Sequence, residues 1–158
     1  MSQVLVTYFS AGGVTERVAK KLADSIGAEL FEIVPAQPYT FADLNWRNQK
    51  SRSSVEMNDR LSRPAISFTH PNMEQFSTVF VGFPIWWYRE PSIIDAFMEA
   101  YDFDGITVVP FATSGGSGLG DSAKNMQALA PKAKVVSGKR FPSGASEKEL
   151  SAWAAEWM

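Results

Sequence analysis

Apolar positions along this chain fall into short continuous runs that alternate with helical stripes. The first run, Val4-Leu5-Val6-Thr7-Tyr8-Phe9, is rich in β-branched and aromatic residues and too short for a helix, which predicts a strand covered on both faces. From Val14 the period changes. Val14, Val18, Ala19, Leu22, Ala23 and Ile26 form one helical stripe, and Gly27 stands where a helix end commonly needs a left-handed residue. Residues 28–34 predict a second strand, and Glu29 and Glu32 within it suit an edge. Residues 39–63 are polar and mixed in charge, loosely helical, with Ser51-Arg52-Ser53-Ser54 able to cap a later helix. Runs at 78–83 and 106–111 predict two more buried strands. Between them Pro91 suits the first turn of a helix with the stripe Ile93, Ile94, Phe97, Met98 and Tyr101. Residues 119–130 predict another helix, closed by Pro131, and 133–136, extendable to Phe141, predict the last strand. Ser146-Glu147-Lys148-Glu149 is a capping box opening a final helix that turns Leu150, Trp153, Ala154 and Trp157 inward.

Strands alternating with helices predict the α/β class, a parallel sheet with helices on both faces in a three-layer sandwich. Five strands favour the order 2-1-3-4-5, in which ligands sit beyond the carboxyl ends of the strands, between the first and third. The length, 158 residues, suits one domain spanning 1–158. A formal net charge of −2 gives no electrostatic footprint for nucleic acid. There are no cysteines, which excludes disulfides and thiolate chemistry and accords with a reducing cytoplasm, the expected location. His70, the single histidine, cannot build a multi-histidine metal site, so no metal is expected. The chain opens directly on a core strand with no apolar segment of ~18 residues, so secretion and membrane spanning are both disfavoured.

Three loops carry candidate chemistry. Between the first strand and its helix lie Ser10, Gly12, Gly13, Val14 and Thr15. The first N–H groups of a helix lack internal partners and carry partial positive charge, so a phosphate placed there gains hydrogen bonds and a favourable dipole together. Ser10 and Thr15 add hydroxyls, and the glycines allow close approach. An ordinary turn in which Ser10 and Thr15 only cap the helix explains the same residues equally well. The spacing matches neither a P-loop nor the G-x-G-x-x-G dinucleotide turn. After the third strand comes Pro84-Ile85-Trp86-Trp87-Tyr88, whose neighbouring aromatics point to opposite sides of an extended segment and cannot all enter one core. After the fourth comes Thr113-Ser114-Gly115-Gly116-Ser117-Gly118, nearly all small donors and glycine. In a parallel sheet all three emerge on one edge, where they suit a ligand with a phosphate at one end and a flat, hydrogen-bonding ring at the other. Flavin mononucleotide (FMN) has that shape. Micromolar binding needs about 8 kcal/mol. A helix terminus gives ~1–2 and an aromatic stack ~0.5–1.5 beyond burial, so the three loops must act together.

On these residues the chain resembles the flavodoxin family, most closely a short-chain bacterial branch with Ser-x-Gly-x-x-Thr after strand one, Pro-Ile-Trp-Trp after strand three and Thr-Ser-Gly-Gly-Ser-Gly after strand four. The resemblance implies a flavodoxin-like fold in which Ser10, Gly12, Gly13, Val14 and Thr15 hold the FMN phosphate. Pro84, Ile85, Trp86, Trp87 and Tyr88 then face the isoalloxazine, and Thr113, Ser114, Gly115, Gly116, Ser117 and Gly118 bond its pyrimidine edge. Family members commonly carry Thr-Gly-Asn or Thr-Gly-Thr in the first loop, where this chain has Ala11-Gly12-Gly13, and Trp86-Trp87-Tyr88-Arg89 contains no glycine. The implied role is electron carriage between redox partners, with no catalytic side chain, by a monomer or homodimer. The alternative is an FMN-dependent reductase that passes electrons from NAD(P)H to quinones or similar small acceptors.

Overall fold

The computed structural model describes residues 3–67, 70, 72–114 and 116–158. In chain order the apolar runs form β1 (Val4–Tyr8), α1 (Val14–Ile26), β2 (Glu29–Glu32), α2 (Arg52–Met57), β3 (Thr78–Pro84), α3 (Ser92–Ala100), β4 (Thr107–Thr113), α4 (Ser122–Leu129), β5 (Lys134–Val135), β6 (Lys139–Phe141) and α5 (Glu147–Ala154). The sheet runs β2-β1-β3-β4-β5, all parallel, with β6 also paired to β4. The expected α/β order is therefore found, with β2 at the edge and Glu29 and Glu32 exposed.

Strand alternation sorts the buried side chains into two cores. Leu5, Val79, Val81, Val108 and Ala112 face one way, toward Ile94 and Phe97 of α3 and Met126 of α4. Val6, Phe80, Val109 and Phe111 face the other, toward Val18 and Leu22 of α1 and Leu150 of α5. Gly82 interrupts β3 for a packing reason, since a Cβ there would stand 2.3 Å from the Phe111 ring.

The last strand is not one run but two. The carbonyls of Ile106 and Val108 accept from Lys134 and Val136 amides at 2.9 and 3.1 Å. By the two-residue period Pro110 faces the same neighbour and has no N–H to give. Pairing lapses there, and Gly138 passes so close that a Cβ would lie 1.9 Å from the Pro110 carbonyl oxygen. It resumes where Lys139 meets Phe111.

The long crossover from β2 to β3 is closed at its neck. The Ala36 amide donates to Ala65 and the Ser67 amide to Val34, both at 2.8 Å. Within it the loosely helical expectation shrinks to the six residues of α2, capped as expected by Ser51, whose hydroxyl accepts from the Ser54 amide. Asn45 and Asn48 explain the shortfall. Their side chains take the amides of Arg47 and Lys50 at 3.2 and 3.0 Å, which favours turns over helix. No helix of the described residues is long and apolar enough to cross a membrane.

Candidate functional site

Because the strands are parallel, the carboxyl ends of β1, β3 and β4 emerge together, and they border one cavity of about 840 Å³. At the end of β1, Gly13 adopts φ 92° and caps α1, and its amide donates to Ser10 Oγ at 3.0 Å. The Arg17 amide reaches the Gly13 carbonyl at 3.2 Å, while the amides of Val14, Thr15 and Glu16 meet no acceptor among the described residues. Beside Gly12 the space is open, since an added Cβ would touch nothing. Thr15 and Thr113 are both buried, with their hydroxyls 2.7 Å apart. Only one of the two donates in that bond, which leaves the other hydrogen for a ligand. This turn thus offers unpaired amides, a hydroxyl and room, the donor set that an anion requires.

After β3 the chain makes a tight hairpin. Trp86 and Arg89 exchange backbone hydrogen bonds at 3.0 and 3.1 Å, and between them Trp87 and Tyr88 take φ of 48° and 65°. Two left-handed central residues define a type I′ turn, usually built from Asn-Gly. Aromatic residues held in that region cost ~1–3 kcal/mol each, and such strain concentrates at ligand sites. Gly120 supports the turn, because a Cβ at its φ of 55° would stand 2.6 Å from the Tyr88 carbonyl oxygen. Trp86 packs edge-on against Phe9 at 5.6 Å and Tyr39 at 5.4 Å. Trp87 and Tyr88 join neither core cluster, and Tyr88 is 81% exposed. The aromatic run is thereby divided: one ring anchors the turn and two are left for the cavity and its rim.

A buried charge cluster lies behind this turn. Arg89 donates to the Met57 carbonyl at 3.2 Å, to the Glu90 carbonyl at 3.1 Å and to Asp95 Oδ2 at 3.4 Å. Glu90 Oε1 accepts from Asn125 at 3.1 Å, whereas Glu90 Oε2 and Asp95 Oδ1 have no donor among the described residues. Burial foremost, then contact with Glu90, pushes the Asp95 carboxyl up to about 8 against the opposing pull of Arg89 and Arg63. A proton kept on Asp95 can be donated toward Glu90, the contact that helps to hold it there.

Of the residues expected to form the site, Ser10, Gly12, Val14, Thr15, Pro84, Ile85, Trp86, Trp87, Tyr88, Thr113, Ser114 and Ser117 border the cavity. Gly13, Gly116 and Gly118 do not line it, and Gly115 lies outside the described residues. Ser114 donates to the Ser117 carbonyl and so folds the third loop back on itself. Sequence reasoning missed Ala11, Leu44, Trp46, Ser53 and Ser143 as lining residues. For Leu44, Trp46 and Ser53 the signal was the unusual length of their crossover. Ser143 gave none, because it follows a strand whose split depends on tertiary contacts. Among the described residues no group of three His, Cys, Asp or Glu side chains is placed to hold a metal ion. The donor set fits FMN, with anion donors at one end and aromatic surface and small hydroxyls at the other.

Comparison with known proteins agrees with this geometry. The family model described as Flavodoxin matches residues 3–157. A solved structure of a candidate flavoprotein from Bacteroides eggerthii is 47% identical, covering 99% of this chain and 98% of that one, with a TM-score of 0.93. Another from Bacteroides uniformis is 43% identical over 98% of both chains, with a TM-score of 0.92. A flavoprotein from Lactobacillus acidophilus, solved in complex with FMN, shares the fold at 20% identity, covering 98% of this chain and 99% of that one, with a TM-score of 0.75. No curated protein matches the chain.

Proposed function

Since the chain belongs to the flavodoxin family, we propose that it binds FMN and carries electrons between redox partners. The observation that supports this reading is the meeting of the phosphate-type turn, the aromatic hairpin and the Thr113–Ser117 loop on one cavity. The amides of Val14 and Thr15, with the hydroxyls of Ser10 and Thr15, would hold the phosphate. Trp87 and Tyr88 would flank the ring and exclude water from it, and Ser114 and Ser117 would bond its polar edge. When bound, FMN supplies the electron storage. The chain's own residues bind and orient it, and no side chain acts as acid or base. The buried acids Glu90 and Asp95 lie behind the hairpin rather than in the cavity, since neither lines it.

A second reading is favoured by one observation. The crossover places Leu44, Trp46 and Ser53 on the cavity, as a reductase of small acceptors would need and a carrier docking against proteins would not.

Two measurements test these readings. Purified protein incubated with excess FMN and then desalted should stay yellow, with micromolar or tighter affinity. A folded preparation that emerges colourless overturns the function in both forms. Anaerobic addition of NAD(P)H then separates them: a spectrum that resists NAD(P)H but responds to dithionite supports the carrier, and bleaching by NAD(P)H supports the reductase.

A further inference from the structure

We propose that the outer face of the crossover between β2 and β3 is a docking surface for the acidic face of an electron-transfer protein. The inference rests on the carrier reading above and deepens it by giving the partner's charge and the surface it meets.

The first support is where the exposed apolar side chains lie. Among the described residues the large hydrophobic side chains left exposed are Phe41, Trp46, Val55 and Leu61 on the crossover, Tyr88 on the aromatic hairpin, and Met158. Single exposed apolar residues are ordinary, but their concentration in one segment marks an interaction surface. Trp46 and Tyr88 also border the cavity, so this surface runs up to its mouth.

The second support is that the surface is held in place. Phe41 is 95% exposed, yet its turn is closed from both ends. The Thr40 amide donates to Asp43 Oδ2 at 2.9 Å, and the Asp43 amide donates to Thr40 Oγ1 at 3.1 Å. The Ser53 amide donates to the Asp43 carbonyl at 3.0 Å and fastens the turn to α2. A surface already ordered loses little entropy when a partner arrives.

The third support is charge. Residues 39–63 carry five Lys or Arg against three Asp or Glu, a net of +2 on a chain whose total is −2, so the rest of the molecule stands at −4. Arg52 pairs with Glu56 at 3.0 Å and with Asp43 at 4.0 Å, and Arg63 pairs with Glu99 of α3 at 2.6 Å. Arg47, Lys50 and Arg60 are exposed and form no ion pair among the described residues. Against these three stands one exposed carboxylate of the crossover, Asp59, whose Oδ1 already accepts from the Leu61 amide at 3.0 Å. The Arg47 guanidinium carbon lies 5.1 Å from the Trp46 ring centre, so cation and apolar surface interleave. Apolar contacts with a charged rim suit a transient protein partner of opposite sign. A second copy fits worse, because two-fold pairing of this surface sets the same cations against each other. Anionic lipid fits worse too, since membrane-binding clusters use roughly four to eight cations.

The test is an NMR titration of nitrogen-15-labelled protein, FMN-free and FMN-loaded, with an acidic plant-type ferredoxin and, separately, with basic cytochrome c. Ferredoxin should saturably shift or broaden the amides of Phe41, Arg47 and Val55, and its dissociation constant should rise about fivefold between about 20 and about 200 mM salt. Cytochrome c should leave those amides unmoved. Arg47→Glu combined with Lys50→Glu should weaken ferredoxin binding about tenfold and Phe41→Ser about threefold, with FMN affinity changed less than about twofold. Ferredoxin that perturbs only other segments, or binds the variants as it binds wild type, overturns the proposal. So do capture of this surface by phosphatidylserine vesicles without any response to ferredoxin, and a dimer in analytical ultracentrifugation that Phe41→Ser dissolves. A protein that stays colourless with excess FMN is a failure of the carrier reading itself, recognised from the visible spectrum before any partner is added.

Discussion

At the scale of single residues the aromatic hairpin is where stability and binding oppose each other. Trp87 and Tyr88 hold left-handed φ values that glycine would adopt without strain. Tyr88→Gly therefore relieves roughly 1 kcal/mol, raising Tm by ~2–4 °C in a chain of this size, while removing a ring from the cavity rim and weakening FMN binding. Differential scanning calorimetry and flavin titration on the same preparation read both effects, and a fall in Tm would show that the ring contributes more to packing than its exposure implies. Trp87→Ala carries the larger binding penalty. The half-buried ring belongs to no core cluster, so its loss should cost the apoprotein little. It should raise the FMN dissociation constant about thirtyfold, which corresponds to ~2 kcal/mol of lost ring contact. An unchanged constant would assign the stacking face to Tyr88 alone.

At the scale of elements the Arg89–Glu90–Asp95 cluster joins α2, α3 and α4, and Asp95 makes that junction sensitive to pH. The Asp95 carboxyl keeps its proton up to about 8 in the folded chain, against an ordinary value of 3.8. Between those limits the folded state binds more protons than the unfolded one, so this group's contribution to stability falls as pH rises and levels off above about 8. Asp95→Asn removes the titration and keeps the side-chain size. The difference in Tm between variant and wild type should therefore grow in the variant's favour across that window, and a difference that stays constant with pH would remove Asp95 from the account. This junction also shows what the sequence could not supply. The stripe Ile93, Ile94, Phe97 and Met98 reveals the buried face of α3 because periodicity is local. That Arg89 reaches the end of α2, thirty-two positions away, is long-range information with no periodic trace. The same distinction runs through the site. Ser10, Thr15, Trp86 and Thr113 were readable because each lies at the carboxyl end of an obvious strand or in the turn and helix start that follow it. Leu44, Trp46 and Ser53 were signalled only together, by the length of their crossover, because their side chains reach the cavity through tertiary closure of its neck. Pro110 was in plain view, but its power to split the fifth strand depends on which neighbour its missing N–H faces.

At the scale of the whole molecule, the cavity is built from the ends of β1, β3 and β4, the crossover and the loop after β6. Its lining residues therefore come from elements packed in both cores and not from one detachable lobe. A ligand filling it bridges parts that separate only when the sheet itself comes apart, so binding should stabilise the entire fold. With free FMN at a hundredfold excess over its dissociation constant, mass action adds ~2.7 kcal/mol. For a domain of this size that corresponds to a rise in Tm of roughly 5–11 °C. The calorimetric transition should remain single and move as a unit, with equal shifts by far-ultraviolet circular dichroism and by tryptophan fluorescence, since the five tryptophans lie both near the cavity and on the C-terminal segment. Riboflavin, which lacks the phosphate, should give a smaller shift, because the unpaired amides of Val14 and Thr15 then stay unfilled. A transition that splits, with only the fluorescence phase moving, would show that the cavity opens locally and that its three loops are not coupled through the sheet.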